Sequence, residues 1–425
     1  MNILILTNTF SPHVGGVARS VEAFAEEYRK QEHEVLIVAP EFPGAEENEA
    51  GVIRIPAIQN FNASDFSVVL PVHPQLSRRL DEFQPDIVHS QHPFLLGMSA
   101  VRIARRRRLP LVFTHHTLYE QYTHYVPGDS PALKRFVIEL ATRYANLADQ
   151  VFAPSESIRD LLQQRGVTSP ITVVPTGVYL EQFARGDGPG FREQLGIPAQ
   201  AFVVGHLGRL APEKNLPFLT RAVARFAADH PEVHFLVIGT GPSEQRMREI
   251  FTRTGLDDRL HITGILQQPA LTDALHAMDL FAFASLSETQ GMVLTEAMAA
   301  GLPVIALDAS GAREVVRDQQ NGRLLQTQSI PAFSAALQWA ANLAPDAFQD
   351  LKNTALRTAD SFSMSRSADK ALSCYASLEP GSHADQDNSW QEAMTAIKTE
   401  WNILKSMANA GEAALQTDLF SGKEK

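Results

Sequence analysis

Short, continuous apolar runs alternate with amphipathic stretches along most of this chain, and that alternation leaves few folds open. NILILT (2–7) precedes VARSVEAFAEEYRKQ (17–31), which has helical periodicity, and EVLIVAP (34–40) follows. DIVHSQ (86–91), LVFTHH (111–116) and QVFAPS (150–155) repeat the apolar runs, each ending at a polar residue. Runs that are apolar at successive positions fit strands buried on both faces of a parallel sheet. After the Gly-rich break ARGDGPG (184–190) the pattern restarts with FVVGHLGRL (202–210), HFLVIGTGP (234–242), LHITGI (260–265), DLFAFAS (279–285) and LPVIALD (302–308). LPFLTRAVARFAADH (216–230) is a helical stretch among them.

A chain of 425 residues is too long for one core. The expectation is two doubly wound α/β domains facing each other across a cleft, joined between Pro175 and Phe202. Ligands of such sheets sit beyond the carboxyl ends of the strands. We place the first domain at 1–180, the second at 181–360, and a crossover helix returning to the first at 361–380. A linker and helical tail occupy 381–425. In that tail Trp390, Met394, Ile397, Trp401, Leu404 and Met407 fall on one apolar stripe. Its opposite face mixes acids and bases, which favours docking on protein over lipid.

Composition excludes several classes. A net charge of -11 argues against a general nucleic-acid binder. The single cysteine, Cys374, fits a reducing compartment and reads as a small buried residue on a helix. The opening MNILILTNTF lacks a basic leader and a small-residue cleavage site, and no apolar run reaches the roughly 18–20 residues of a spanning helix. The expectation is a cytoplasmic protein, peripheral at most on the inner face of a membrane.

Three motifs carry chemistry. SPHVGGVARS (11–20) lies between a strand and a helix, where Gly15 and Gly16 allow close backbone approach and the helix offers unpaired N–H groups to an anion. Neither it nor GTGPSEQR (239–246) is a dinucleotide fingerprint. GRLAPEKN (208–215) follows a strand, so Arg209 and Lys214 project at its carboxyl end, as a diphosphate would require. SLSETQGMVLTEAMAAGLPVIA (285–306) holds two carboxylates. Thr289, Gln290 and Gly291 interrupt the helical pattern, so Glu288 falls in a loop and a helix runs from Met292 to Ala300, with Glu296 in its second turn. On one continuous helix the two glutamates would stand about 80° apart, near one face without alignment. The loop instead frees Glu288 to meet a ligand, while the amides of Met292 and Val293 face an anion.

Glu-x7-Glu in SETQGMVLTE, followed by EAMAAGLPVIA, resembles the signature of the retaining glycosyltransferases of family 4, which have the GT-B fold. GGVARS, PTGV (175–178), GRLAPEKN and VIGTGP stand in the family's order, and the resemblance covers roughly residues 1 to 380. It implies that Gly15 and Gly16 meet the donor diphosphate and that Arg209 and Lys214 bind its phosphates. Glu288 with the backbone of Gly291, Met292 and Val293 would hold the hexose and phosphate, and Glu296 the ribose. His116 would lie near the donor sugar, as a catalytic residue with Glu288, and His115 would be structural. The family pattern needs no metal or other cofactor for donor binding, and no aspartate pair for one is evident. Retention proceeds by front-face attack or through a covalent intermediate, and no obvious nucleophile favours the latter.

For the acceptor, NFNASDFSVVLP (60–71), THHTLYEQYTHYVP (114–127) and TQG (289–291), where TFG is commoner, resemble diacylglycerol glucosyltransferases. UDP-glucose as donor and diacylglycerol as acceptor follow from that resemblance alone. Arg102, Arg105, Arg106, Arg107 and Arg108, with Arg78 and Arg79, form a basic patch for an anionic membrane surface. A soluble sugar or polysaccharide acceptor, and a nucleotide-sugar epimerase, stay open.

Overall fold

The computed structural model describes residues 1–13, 15–45, 49–58, 68–69, 74–121 and 130–380. Most of the 60–71 stretch, the end of the 114–127 stretch and the tail from 381 lie outside them. The chain divides into two compact units: Met1–Val174 with the chain from Lys370, and Pro175–Asp369.

In the first unit, seven strands form a parallel sheet: β1 (Asn2–Leu6), β2 (Glu34–Pro40), β3 (Val52–Ile55), β6 (Ile87–Ser90), β7 (Leu111–Thr114), β8 (Gln150–Ala153) and β9 (Ile171–Val173), while β4 (Ala57–Ile58) and β5 (Val68–Val69) form a separate antiparallel pair. The order is β3-β2-β1-β6-β7-β8-β9. Ile3, Leu4, Ile5 and Leu6 are at most 1% exposed, so both faces are covered. Each such side chain contributes roughly 1.5–3 kcal/mol on burial. Helix Gly16–Lys30 turns Ala18, Val21, Ala25 and Tyr28 inward, the three-and-four spacing of one helical face.

The second unit holds a six-stranded parallel sheet: β10 (Phe202–Leu207), β11 (Val233–Ile238), β12 (Leu260–Ile262), β13 (Leu280–Phe283), β14 (Val304–Leu307) and β15 (Gly322–Leu325). Its order is β12-β11-β10-β13-β14-β15. Each sheet therefore reverses its winding once, between β1 and β6 in the first and between β10 and β13 in the second. At those points the loops leaving two adjacent strands diverge and open a crevice.

Every apolar run singled out in the sequence is a strand. The patterning misses β3, β9 and β15, three of the four strands that end the two sheets, where residues beside an unpaired edge are half-buried and need not be apolar; the fourth, β12, lies within the LHITGI run.

Two connections join the units, at Val174–Pro175 and inside helix Met364–Ala376. Within the second unit they run side by side: Val178 N–H donates to Phe362 C=O at 2.8 Å and Met364 N–H to Val178 C=O at 3.0 Å. Gly177 is required there, since a Cβ would lie 2.3 Å from Met364 Cα. Within the first unit the same helix is anchored by Tyr375, 1% exposed, whose hydroxyl meets His89 Nδ1 at 2.6 Å and Tyr28 at 3.2 Å. Cys374 beside it is half-buried, less covered than expected, because it falls on the outer flank of that helix.

Candidate functional site

The reversal between β10 and β13 gathers the second and third motifs. GRLAPEKN leaves β10 through Gly208, and SETQGM leaves β13 ahead of helix Met292–Ala299. Lys214 Nζ donates to Glu288 Oε1, both side chains being mostly buried. Arg209, half exposed, pairs with Glu213 of its own motif. Each cation is thus held by a carboxylate. Glu213 was missed; the Arg-to-Glu spacing of four within one loop was its only signal.

Gly291 caps helix Met292–Ala299 without a side-chain hydrogen bond, leaving its first amides to other partners. The helix ends one residue before Ala300, where the chain turns into Gly301. Glu288 lies in the loop, and Glu296, 4% exposed, lies in the second helical turn, as the pattern required. A carboxylate this buried needs polar partners to remain ionised. Gln290, which the sequence placed in the TQG break without giving it a partner, bonds the backbone of Thr176.

In the first unit, Gly16 opens helix Gly16–Lys30 with Gly15 as its cap, again without a side-chain bond. A Cβ on Gly16 would meet nothing within 4 Å, so the surrounding protein does not demand glycine there. Beside them, the carboxyl ends of β1, β6 and β7 carry buried polar residues. Asn8 N–H donates to His92 Nδ1 at 3.1 Å, and Asn8 Oδ1 accepts from Leu96 N–H at 3.1 Å. His116 Nε2–H donates to Gln91 Oε1 at 2.6 Å.

Burial pushes the His116 ring down to about 4, and burial with the neighbouring His116 ring pushes His89 and His92 to about 3. All are neutral near pH 7. His115 is 1% exposed, is likewise pushed down to about 3 by burial and by Arg165, and meets no hydrogen-bond partner through either ring nitrogen. Asn8, Gln91 and His92 were missed; the sequence signal was only that the DIVHSQ run ends on polar residues.

The arginine run ends helix Leu96–Arg107, with Arg108 left-handed at φ 55 as its cap. Cations are stabilised at a helix C-terminus whatever else they do. Arg107 is paired instead, donating to Asp81 Oδ1 at 2.5 Å. Arg102, Arg106 and Arg108 are exposed, and Arg105 is half-buried. Among the described residues no helix is long and apolar enough to cross a membrane.

Two sequence families match in tandem: Glycosyltransferase Family 4 over residues 14–182 and Glycosyl transferases group 1 over residues 189–356. The alpha-monoglucosyldiacylglycerol synthase of Streptococcus pneumoniae is 31% identical over 330 residues, 76% of this chain and 75% of that protein. That of Acholeplasma laidlawii is 29% identical over 336 residues, 76% of this chain and 84% of that protein. A GDP-mannose-dependent alpha-mannosyltransferase of Mycobacterium tuberculosis is 30% identical over 339 residues, again 76% of this chain and 84% of the relative.

Among solved structures, HepE of Anabaena in complex with UDP superposes with a TM-score of 0.70 at 23% identity, covering 89% of this chain and 100% of that one. Sucrose-phosphate synthase of Thermosynechococcus elongatus gives 0.71 at 19% identity, covering 88% and 98%. The shared architecture is GT-B. With the tandem domains matched in order and a relative above 30% identity over three quarters of both chains, this chain belongs to glycosyltransferase family 4 and is a hexosyltransferase.

Proposed function

We propose that this enzyme transfers glucose from UDP-glucose to a hydroxyl of diacylglycerol at the inner membrane face, with retention at the transferred carbon. The observation that carries the donor half is the meeting of Lys214, Glu288 and the glycine-started helix Met292–Ala299 at one winding reversal. The donor diphosphate draws Lys214 from Glu288 and Arg209 from Glu213, and Glu288 then accepts hexose hydroxyls. The amides of Gly291, Met292 and Val293 face the phosphate at the positive helix end, and Glu296 takes the ribose. The resemblance assigns further donor contacts to Gly15, Gly16 and His116, with the neutral His116 ring beside the hexose. No metal or cofactor is needed, since the two cations supply the charge that stabilises the leaving diphosphate.

In the front-face reaction the bond from the anomeric carbon to the diphosphate breaks, the bond to the acceptor oxygen forms on the same face, and the departing phosphate takes the hydroxyl proton. Two relatives named as alpha-monoglucosyldiacylglycerol synthases support the acceptor, and the exposed Arg102, Arg106 and Arg108 support a lipid surface. A second reading, mannose from GDP-mannose, is favoured by relatives of that name with equal coverage.

Labelled UDP-glucose and GDP-mannose, each with and without diacylglycerol in anionic mixed micelles, separate the readings. An organic-extractable product from UDP-glucose that requires the lipid supports the first. Product only from GDP-mannose, or only with a soluble sugar acceptor, replaces it. Glu288→Gln and His116→Ala should each lower turnover on the order of 10²-fold; near-wild-type turnover in both removes the site assignment.

A further inference from the structure

Gln290 occupies the middle of TQG, and its side-chain amide meets one residue at two points. Its Oε1 accepts from Thr176 N–H at 2.7 Å and its Nε2 donates to Thr176 C=O at 2.6 Å. That is the pairing one strand residue offers another, made here by a side chain. A planar amide of this length supplies donor and acceptor together; phenylalanine supplies neither.

The partner is itself fixed. Thr176 is 5% exposed and lies just past the first connection between the units. Its neighbour Val178 is bonded to the second connection at Phe362 and Met364. On the other side, Gly311 packs so closely that a Cβ would lie 2.8 Å from Gly291 N and 3.0 Å from Gln290 C. The Gln290–Gly291 peptide is therefore held from two directions. Immediately around it stand Glu288 and the start of helix Met292–Ala299, which no side chain caps and whose Met292 N–H donates to Gln290 C=O at 3.1 Å.

We infer that Gln290 is a positioning residue for the hexose end of the donor: its paired bonds to Thr176 hold the 288–291 loop in the register that presents Glu288 to the hexose, while the phosphate-facing amides of Met292 and Val293 are fixed by their own helix. The inference rests on the donor site proposed above and adds to it. Loss of the pair frees the loop and weakens hexose contacts, while the diphosphate keeps Arg209 and Lys214. A residue that only stabilises the unit would lower the unfolding temperature without separating these effects.

The test measures calorimetric affinity of the full chain for UDP-glucose and GDP-mannose, and for UDP and GDP. Gln290→Ala should weaken the sugar nucleotide that the wild type binds by roughly tenfold, the worth of one to two hydrogen bonds, and leave the matching diphosphate nearly unchanged. Gln290→Glu adds a signature that folding alone does not produce. Its carboxylate can still accept from Thr176 N–H but opposes Thr176 C=O; once protonated, it donates and restores both bonds. Its affinity deficit relative to wild type should therefore shrink as pH falls through the ordinary carboxyl range, from about 6 to about 4.

Equal loss of sugar nucleotide and diphosphate, or a Gln290→Glu deficit independent of pH, overturns the inference. So do unchanged affinities in both variants while Glu288→Gln weakens the donor. If Glu288→Gln and Lys214→Ala also bind the donor normally, or the wild type binds neither sugar nucleotide, the donor-site reading fails and the inference falls with it.

Discussion

Lys214 and Glu288 are 74 positions apart, yet one accepts the other's charge. No spacing rule connects them; only the adjacency of β10 and β13 does. At the same scale, six rings are held neutral by burial: His89, His92 and His115 down to about 3, and His116, His206 and His261 to about 4. In the unfolded chain each takes a proton near 6.5, so between about 6.5 and 4 the unfolded state binds more protons than the folded one. Stability is then full above about pH 6.5 and is lost as pH falls, each ring adding a slope approaching roughly 1.4 kcal/mol per pH unit. The urea midpoint should drop from pH 7.5 to 5; a flat midpoint contradicts neutral buried rings. His89→Gln should flatten the dependence.

At the scale of elements, glycines at loop exits set where the helices begin. Gly311 and Gly301 both have φ 80, but their surroundings differ. A Cβ at Gly301 meets Leu356 at an ordinary 3.9 Å, whereas one at Gly311 meets Gly291 N at 2.8 Å. Alanine at either position carries backbone strain of about 1–3 kcal/mol. Only Gly311→Ala should also displace the 288–291 loop, weakening the donor as measured by its KM. Equal KM values in the two variants, with equal thermal shifts, would show that the Gly311 contact is slack. This contact was illegible in the sequence, because ASGAR (309–313) carries no motif beyond a turn-favouring glycine. The helix from Met292, by contrast, was readable to within a residue from Gly291 and Gly301.

For the whole molecule, a net charge of -11 means that attraction to an anionic surface must come from a local patch. The structure divides the arginine run by exposure. Reversing Arg102, Arg106 and Arg108 to glutamate should cut sedimentation with anionic liposomes by more than roughly tenfold, at about 1 kcal/mol per arginine, and the residual binding should lose its salt dependence. Unchanged sedimentation argues against membrane docking by this face. Arg107→Glu belongs to a different class: it opposes Asp81 and should lower the unfolding temperature.

The sequence by itself determined the architecture: two parallel-sheet units, their central strands, and the loops that carry Arg209, Lys214, Glu288 and Glu296. Buried strands must be apolar at every position, and helix and turn signals are local, so both survive in one dimension. What pairs with what was decided by tertiary structure alone. The partnering of Lys214 with Glu288 and of His116 with Gln91 depends on which strands lie adjacent, and that of Gln290 with Thr176 on how the chain after Pro175 packs on the loop that follows β13. The placement of edge strands and the division of the arginines into exposed and tied depend on packing between elements. Hydrogen bonds and ion pairs require distances of a few ångströms, and a sequence fixes those only after its elements have packed.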